Sequence, residues 1–438
     1  MSTLSSRNEA ATVALLPRVT CPHCWEAFAP EQVLWVSEHV DLLGDPLLGP
    51  EQQQRFLPSR FTVEGDAIDA KGMTCHSLAC PRCHLGIPRA MVEAEPLFLS
   101  ILGGPASGKS FFLTAMTWQL RRLLPQGFGI AFTDADPAAN LALNDCEESL
   151  FLNPREDDPV PLGSLIRKTE LQGELYDTVG YGQQVVSYPR PFLFALQPQA
   201  GHPVAGKDPA AAAGLSRILC LYDNAGEHFQ PGQDRASSPV TRHLAHARGL
   251  LFLFDPTQDR RFRAACRNRD LGAVASRDNR LSRQETLLTE AAVRIRKHGG
   301  LAHNARYDRP TVVILSKFDE WSHLLGAEAE DPYRKAAGAM GVDVDEIEAL
   351  SARLREILRQ YSPETVAAAE AFATNVTYIA VSALGSRTDA DRETGLLTIR
   401  PADIRPHWVT VPLLYILCRV LPGLVPRLKR KGTARTQG

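Results

Sequence analysis

The sequence predicts an α/β fold: a doubly wound, mainly parallel sheet with insertions, preceded by a small cysteine-rich module. Three observations carry that prediction. Seven short apolar runs, at 97–102, 129–133, 191–196, 217–222, 249–254, 311–315 and 376–381, are bounded by Gly, Pro or Asp and suit strands buried on both faces. Longer amphipathic stretches lie between them, notably 110–124, 137–151, 285–297 and 344–361, and this alternation implies βαβ units with right-handed crossovers. Ahead of Pro96 the texture changes to Pro, Cys and His, with strand-like pieces such as 60–64 before Gly65-Asp66.

The expected division is therefore a module over 1–95, a sheet domain over 96–425 and a basic, disordered tail over 426–438. No internal repeat stands out. Residues 157–161 and 205–213 punctuate like loops, the second as a surface insertion joining two adjacent strands. The Arg-rich stretch 260–283 suits a solvated helix face or a lid. Residues 409–425 are apolar but interrupted by Thr410, Pro412, Arg419 and Pro422, which suits a last buried helix better than a membrane span. The tail could touch a membrane surface from outside, or simply be solvated.

Hydrophobic residues make up 44% and charged residues 22%, as in a soluble globular chain, and the net charge of −2 gives no support to a nucleic-acid partner. The N-terminus lacks the charged stretch and apolar run of a secretory signal. Nine cysteines, several in C-x-x-C pairs, favour metal ligation in a reducing, cytoplasmic compartment.

In α/β sheets ligands sit beyond the carboxyl ends of the strands. After the run 97–102 come Gly103, Gly104, Pro105, Ala106, Ser107, Gly108, Lys109 and Ser110, which fit G-x-x-x-x-G-K-[ST] between a strand and a helix. Glycines let backbone N–H groups close around phosphates, and the helix N-terminus adds favourable charge. Lys109 is expected to reach the β- and γ-phosphates, Ser110 to ligate Mg²⁺, and Phe111 to adjoin the nucleotide.

After 217–222 comes Asp223-Asn-Ala-Gly226-Glu227-His228. Its carboxylate can hold Mg²⁺ through water, and the N–H of Gly226 can meet the γ-phosphate. After 311–315 comes Ser316-Lys317-Phe318-Asp319. Asp319 can accept from both N–H groups on the guanine edge, which adenine lacks, while the stem of Lys317 lies over the base. After 376–381 come Ser382, Ala383 and Leu384, where a backbone N–H can meet the guanine oxygen. Singly these loops are weak signals; their order after successive strands carries the weight.

The series GGPASGKS, DNAGE, SKFD, SAL resembles the translation-factor and Ras-like class of P-loop GTPases over roughly 97–421. Two departures stand out. Ser316 replaces the usual Asn or Thr, which is expected to loosen loop-to-loop bonding. Glu227 replaces the water-orienting Gln, with His228 either a substitute or a plain loop residue. The change at Glu227 implies slow intrinsic hydrolysis, with turnover depending on a partner. The Thr meeting γ-phosphate and Mg²⁺ is expected between the phosphate loop and Asp223, with Thr169 the first candidate and Thr178 the second. The extra strand-helix pattern and D-N-A-G-E together look like the bacterial double-GTPase-type proteins of conflict and signalling systems.

Cys21-Pro-His-Cys24 and Cys80-Pro-Arg-Cys83 resemble the knuckles of zinc ribbons. Four thiolates make a closed tetrahedral site for Zn²⁺. The stretch 25–79 exceeds the usual ~15–20 residues between knuckles, so an insertion is required. Cys75, His23, His76 and His84 are spare ligands, and a redox pair or iron is the rival chemistry. A closed site would serve docking, for a protein activator or effector. The whole then suggests a regulatory GTPase using GTP/GDP, Mg²⁺ and Zn²⁺. Its rivals are a GTP-binding scaffold with negligible hydrolysis, a ribosome- or RNA-associated GTPase, and an ATP-driven enzyme.

Overall fold

A computed structural model describes residues 15–165, 176–223, 242–266, 283–326, 331–336, 339–386, 388–390 and 396–428. The chain divides into two compact units, Met1–Pro96 and Leu97–Gly438.

All seven apolar runs are strands of one sheet: β1 (Glu95–Gly103), β2 (Ile130–Asp134), β3 (Phe192–Pro198), β4 (Arg217–Asp223), β5 (Gly249–Phe254), β6 (Thr311–Leu315) and β7 (Val376–Ala380). Their spatial order is β2-β3-β4-β1-β5-β6-β7. Every residue of β5 and β6 is buried, as their unbroken apolar sequence requires. The pairs β1/β5, β5/β6 and β6/β7 are parallel, whereas β2/β3 and β3/β4 are antiparallel. The sheet is thus mainly parallel as expected, with β3 the one strand reversed against both its neighbours. A strand buried on both faces shows the same apolar run whichever way it points, so the pattern carries no direction.

Helix α1 (Lys109–Leu123) starts from Gly108 and is buried all round from Phe112 to Thr117, and again at Leu120. Helix α2 (Leu141–Phe151) packs beside it. Helix α3 (Gln284–Gly299) ends at Gly300 in the left-handed region. Helix α4 (Val344–Tyr361) is capped by Asp343, which accepts from Glu346 N at 3.1 Å, and lies on β7. Helix α5 (Pro363–Phe372) packs against α3 and α4. Helix α6 (Val411–Val420) is buried from Val411 to Cys418 and contacts β5. No helix among the described residues is long and apolar enough to cross a membrane. Arg427, at the head of the basic tail, bridges to Val342.

The insertion over 205–213 includes a short helix, Pro209–Ala213, within the connection between the antiparallel neighbours β3 and β4. Most of 260–283 lies outside the described residues; Arg260–Arg263 is a single helical turn capped by Asp259. Val160–Pro161, read as loop, pairs with Leu397–Ile399.

In the N-terminal unit, a four-stranded sheet runs Gly86–Ile87, Leu78–Ala79, Leu34–Val36, Arg55–Phe56. The expected strand over 60–64 is a turn instead. Only Phe61 bridges, to Ala67, while Thr62 N donates to Asp66 O and Gly65 N to Thr62 O. The chain reverses too soon after Phe61 for a strand to extend.

Candidate nucleotide site and four-cysteine centre

The phosphate loop closes the carboxyl end of β1. Gly103 is packed so tightly that a Cβ would fall 2.9 Å from both Leu253 O and Ser107 Oγ. Ala106 (φ 55°) and Gly108 (φ 92°) turn the backbone through the left-handed region. Lys109 Nζ donates to Gly103 O at 3.1 Å and Gly104 O at 3.4 Å, folding the ammonium back across its own loop. Ser107 Oγ is buried without a hydrogen-bond partner among the described residues. Ser110 and Phe111 are half-buried in the first turn of α1.

Asp223 ends β4, next to β1. Burial pushes its carboxyl above the usual carboxylate range, against the opposing pull of the Lys109 ammonium. Its buried Oδ1 has no hydrogen-bond partner among the described residues. An orphaned carboxylate oxygen facing an ammonium at a strand end fits a hydrated cation. The residues present therefore suit Mg²⁺ held by Ser110 and, through water, Asp223.

The loop after β6 reaches back to the phosphate loop. Ser316 Oγ donates to Ser107 O at 3.3 Å, and Trp321 Nε1 donates to Ser316 O at 2.8 Å. Lys317 sits at φ 53°. Ser382 Oγ donates to half-buried Asp319 and accepts from Gly385 N at 2.9 Å. Gly385 has φ 70° and lies against Arg405 O with no room for a side chain. Ala383 and Leu384 follow Ser382 in the same loop, half-buried, and Leu384 O accepts from Arg405 N at 2.7 Å. The structure thus links the 103–110, 316–319 and 382–385 loops by direct bonds. Gly226, Glu227, His228 and Thr169 lie outside the described residues. Thr178 is exposed on the hairpin Tyr176–Tyr181/Gln184–Pro189.

In the N-terminal unit, Cys21, Cys24, Cys80 and Cys83 are buried with their sulfurs within 4.8 Å of one another. The Sγ atoms of Cys21 and Cys83 lie 3.7 Å apart, as do those of Cys24 and Cys80. A disulfide needs ~2.05 Å. A tetrahedron of thiolates ~2.3 Å from zinc has edges of about 3.8 Å, which matches. The knuckles are built alike. His23 N donates to Cys21 Sγ and Arg82 N to Cys80 Sγ, while Trp25 and His84 both adopt positive φ. Burial pushes the Cys21 thiol upward, and hydrogen bonds from Cys21 and Cys24 hold Cys80 down. The spare candidates are engaged elsewhere: His84 Nδ1 with Asp45 at 2.8 Å, His23 Nε2 with Gly86 O at 3.0 Å, His76 with Asp66 at 3.4 Å and Cys75 with Met73 O at 3.6 Å.

No protein-family model matches the chain. A protein named for ESX-1 scaffolding and assembly, SaeC of Mycolicibacterium smegmatis, is 25% identical over 429 residues, covering 89% of this chain and 98% of that protein. Among solved structures, Sup35 with GMPPNP is 14% identical at a TM-score of 0.20; the match covers 66% of this chain and only 38% of that one. The signal recognition particle receptor SRb-GTP/SRX complex from Chaetomium thermophilum is 14% identical at 0.23, covering 68% and 96%. The GTP-bound Ski7 GTPase-like domain of S. cerevisiae is 12% identical at 0.26, covering 77% and 52%.

Two features escaped the sequence reading. Each knuckle rides on a hairpin of the same register, Val19↔Phe28 and Thr20↔Ala27 in one, Leu78↔Ile87 and Ala79↔Gly86 in the other. Each hairpin is followed by a 3₁₀ turn. The knuckle hairpin is therefore repeated within the module, as T-C-P-H-C-W and A-C-P-R-C-H. The second is Asp255, fully buried just past β5, which bonds Lys317 Nζ at 2.6 Å.

Proposed function

We propose that the chain is a guanine-nucleotide-binding switch that hydrolyses GTP slowly and is stimulated by a protein partner. The observation that supports this best is the bond from Ser316 Oγ to Ser107 O, which joins the base loop to the phosphate loop. It suits one ligand touching both. In this reading Lys109 and the N–H groups of residues 106–110 cradle the β- and γ-phosphates and stabilise the charge that grows there as water attacks in line. Mg²⁺, held by Ser110 and Asp223, supplies charge neutralisation between the phosphates. Asp319, oriented by Ser382, reads the guanine edge. Gly226, Glu227, His228 and Thr169 retain the γ-phosphate and water roles implied by their motif. The four cysteines hold structural zinc, and their module docks the partner. The double-GTPase grouping and a cytoplasmic setting complete this reading.

Calorimetric titration with GTP, GDP and ATP, with and without Mg²⁺, tests it. Guanine nucleotides should bind far more tightly than ATP, and equal affinity for ATP would overturn the base assignment. A second reading, a GTP-binding scaffold with negligible hydrolysis, is favoured by the likeness to SaeC, which is named for scaffolding and assembly. Single-turnover hydrolysis separates the two, since a rate no faster than GTP in buffer favours the scaffold.

A further inference from the structure

Asp255 belongs to none of the motif loops, yet its carboxylate is saturated. Oδ1 accepts from Thr257 N at 2.9 Å and Thr257 Oγ1 at 2.7 Å. Oδ2 accepts from Gln258 Nε2 at 3.0 Å and Lys317 Nζ at 2.6 Å. The Asp255 backbone is clamped by the Gln284 amide, which accepts from Asp255 N at 2.8 Å and donates to Asp255 O at 2.9 Å. Gln258 Nε2 also donates to Pro105 O, in the phosphate loop, at 3.1 Å. Lys317 Nζ is held a second time, by Thr257 Oγ1 at 3.1 Å.

The sheet order explains the geometry. Because β5 lies between β1 and β6, Asp255 emerges between the strand that launches the phosphate loop and the strand that launches the base loop. A lysine side chain ordinarily loses substantial rotamer freedom when it is ordered against a ligand. Here a buried carboxylate has already fixed its ammonium.

We propose that Asp255 is a positioning residue for guanine-nucleotide binding: it anchors the Lys317 ammonium so that the aliphatic stem lies where the base stacks, and through Gln258 it sets the spacing of the two loops. This rests on the guanine-nucleotide reading above. The chemistry is preorganisation, which strengthens binding by lowering what ordering costs at the moment of association.

The experiment measures GDP affinity of the full chain with Mg²⁺ for wild type, Asp255→Asn, Lys317→Met and the double variant. Each single change should weaken GDP about tenfold, the scale of one lost charge-assisted contact. The double variant should be no weaker than the weaker single, because both changes remove the same stem placement. Wild-type affinity in Asp255→Asn, or losses that multiply in the double variant, overturns the proposal, since Asp255 would then act by a route that does not pass through Lys317. Thr257→Val offers a route that keeps the carboxylate and the volume. It should cost a few-fold in GDP affinity, an effect absent in the Lys317→Met background, and an effect that persists there counts against the assignment. Failure of wild type to bind any guanine nucleotide would overturn the functional reading and this inference together. Tight wild-type binding that Asp255→Asn leaves intact would overturn only the inference.

Discussion

Lys109 is where a single atom decides most. Its ammonium is held by two carbonyls of its own loop, a poor substitute for phosphate oxygens. Lys109→Ala is therefore expected to abolish GTP binding while leaving circular dichroism unchanged, and retained micromolar affinity would remove the phosphate-loop assignment. Asp319→Ala removes an ionised acceptor and should weaken GTP roughly 10- to 100-fold, on the basis of ~1.5–3 kcal/mol for a hydrogen bond to a charged group, while ATP affinity stays put. The motif residues were legible because backbone chemistry dictates their types and order. Ser316 was expected to keep a hydroxyl while loosening the bonding between loops, and that hydroxyl reaches Ser107 O at 3.3 Å. Asp255 was not legible. An Asp after a strand suits any turn, and its decisive partners, Lys317 and Gln284, are distant in sequence.

At the scale of elements, the apolar runs announced every strand of the sheet but not the reversed direction of β3. What secures that extra edge is polar. Arg121 of α1 donates to Glu147 of α2 at 3.2 Å and to Asp134 of β2 at 2.8 Å, and Asn140 joins Asp134 to the backbone of Leu193. Burial pushes the Glu147 carboxyl upward despite Arg121, so the pair is costly to break. Arg121→Ala should destabilise the protein by about 2–3 kcal/mol in denaturant unfolding. Arg121→Lys should recover only part of that, because an ammonium cannot span two carboxylates as a guanidinium fork does. In the N-terminal unit, buried Asp69 accepts from the N–H groups of Glu38, His39, Lys71 and Met73. Burial raises its carboxyl, but these bonds outweigh burial and hold it below the usual range. A lowered folded value means stability present at neutral pH and lost as pH falls through it. The stability gap between wild type and Asp69→Asn should thus be largest near neutrality and shrink below about pH 4, the ordinary range of an aspartate.

At the scale of the whole molecule, two units with separate cores make separable failures expected. Cys24→Ser, or a zinc-selective chelator with Mg²⁺ kept in excess, should remove about one zinc per chain, the stoichiometry of one four-thiolate site, and unfold the N-terminal unit. GTP affinity should persist, measured by calorimetry alongside metal analysis. Loss of GTP binding on chelation would show that the units depend on each other. The sequence hid the repeated hairpin inside the first unit because so few positions beyond the C-P-x-C steps repeat.

That repeat of the knuckle hairpin changes what a metal bound there would do. Each knuckle contributes two thiolates, so an ion between them staples residues 21–24 to 80–83 across a long excursion of chain. Closing a loop of roughly 55 residues costs the chain about 4 kcal/mol of freedom. A bound ion leaves when the chain unfolds, so that cost falls on folding, and metal binding energy would have to offset it. The long excursion between the knuckles would then tie the folding of the N-terminal unit tightly to the metal.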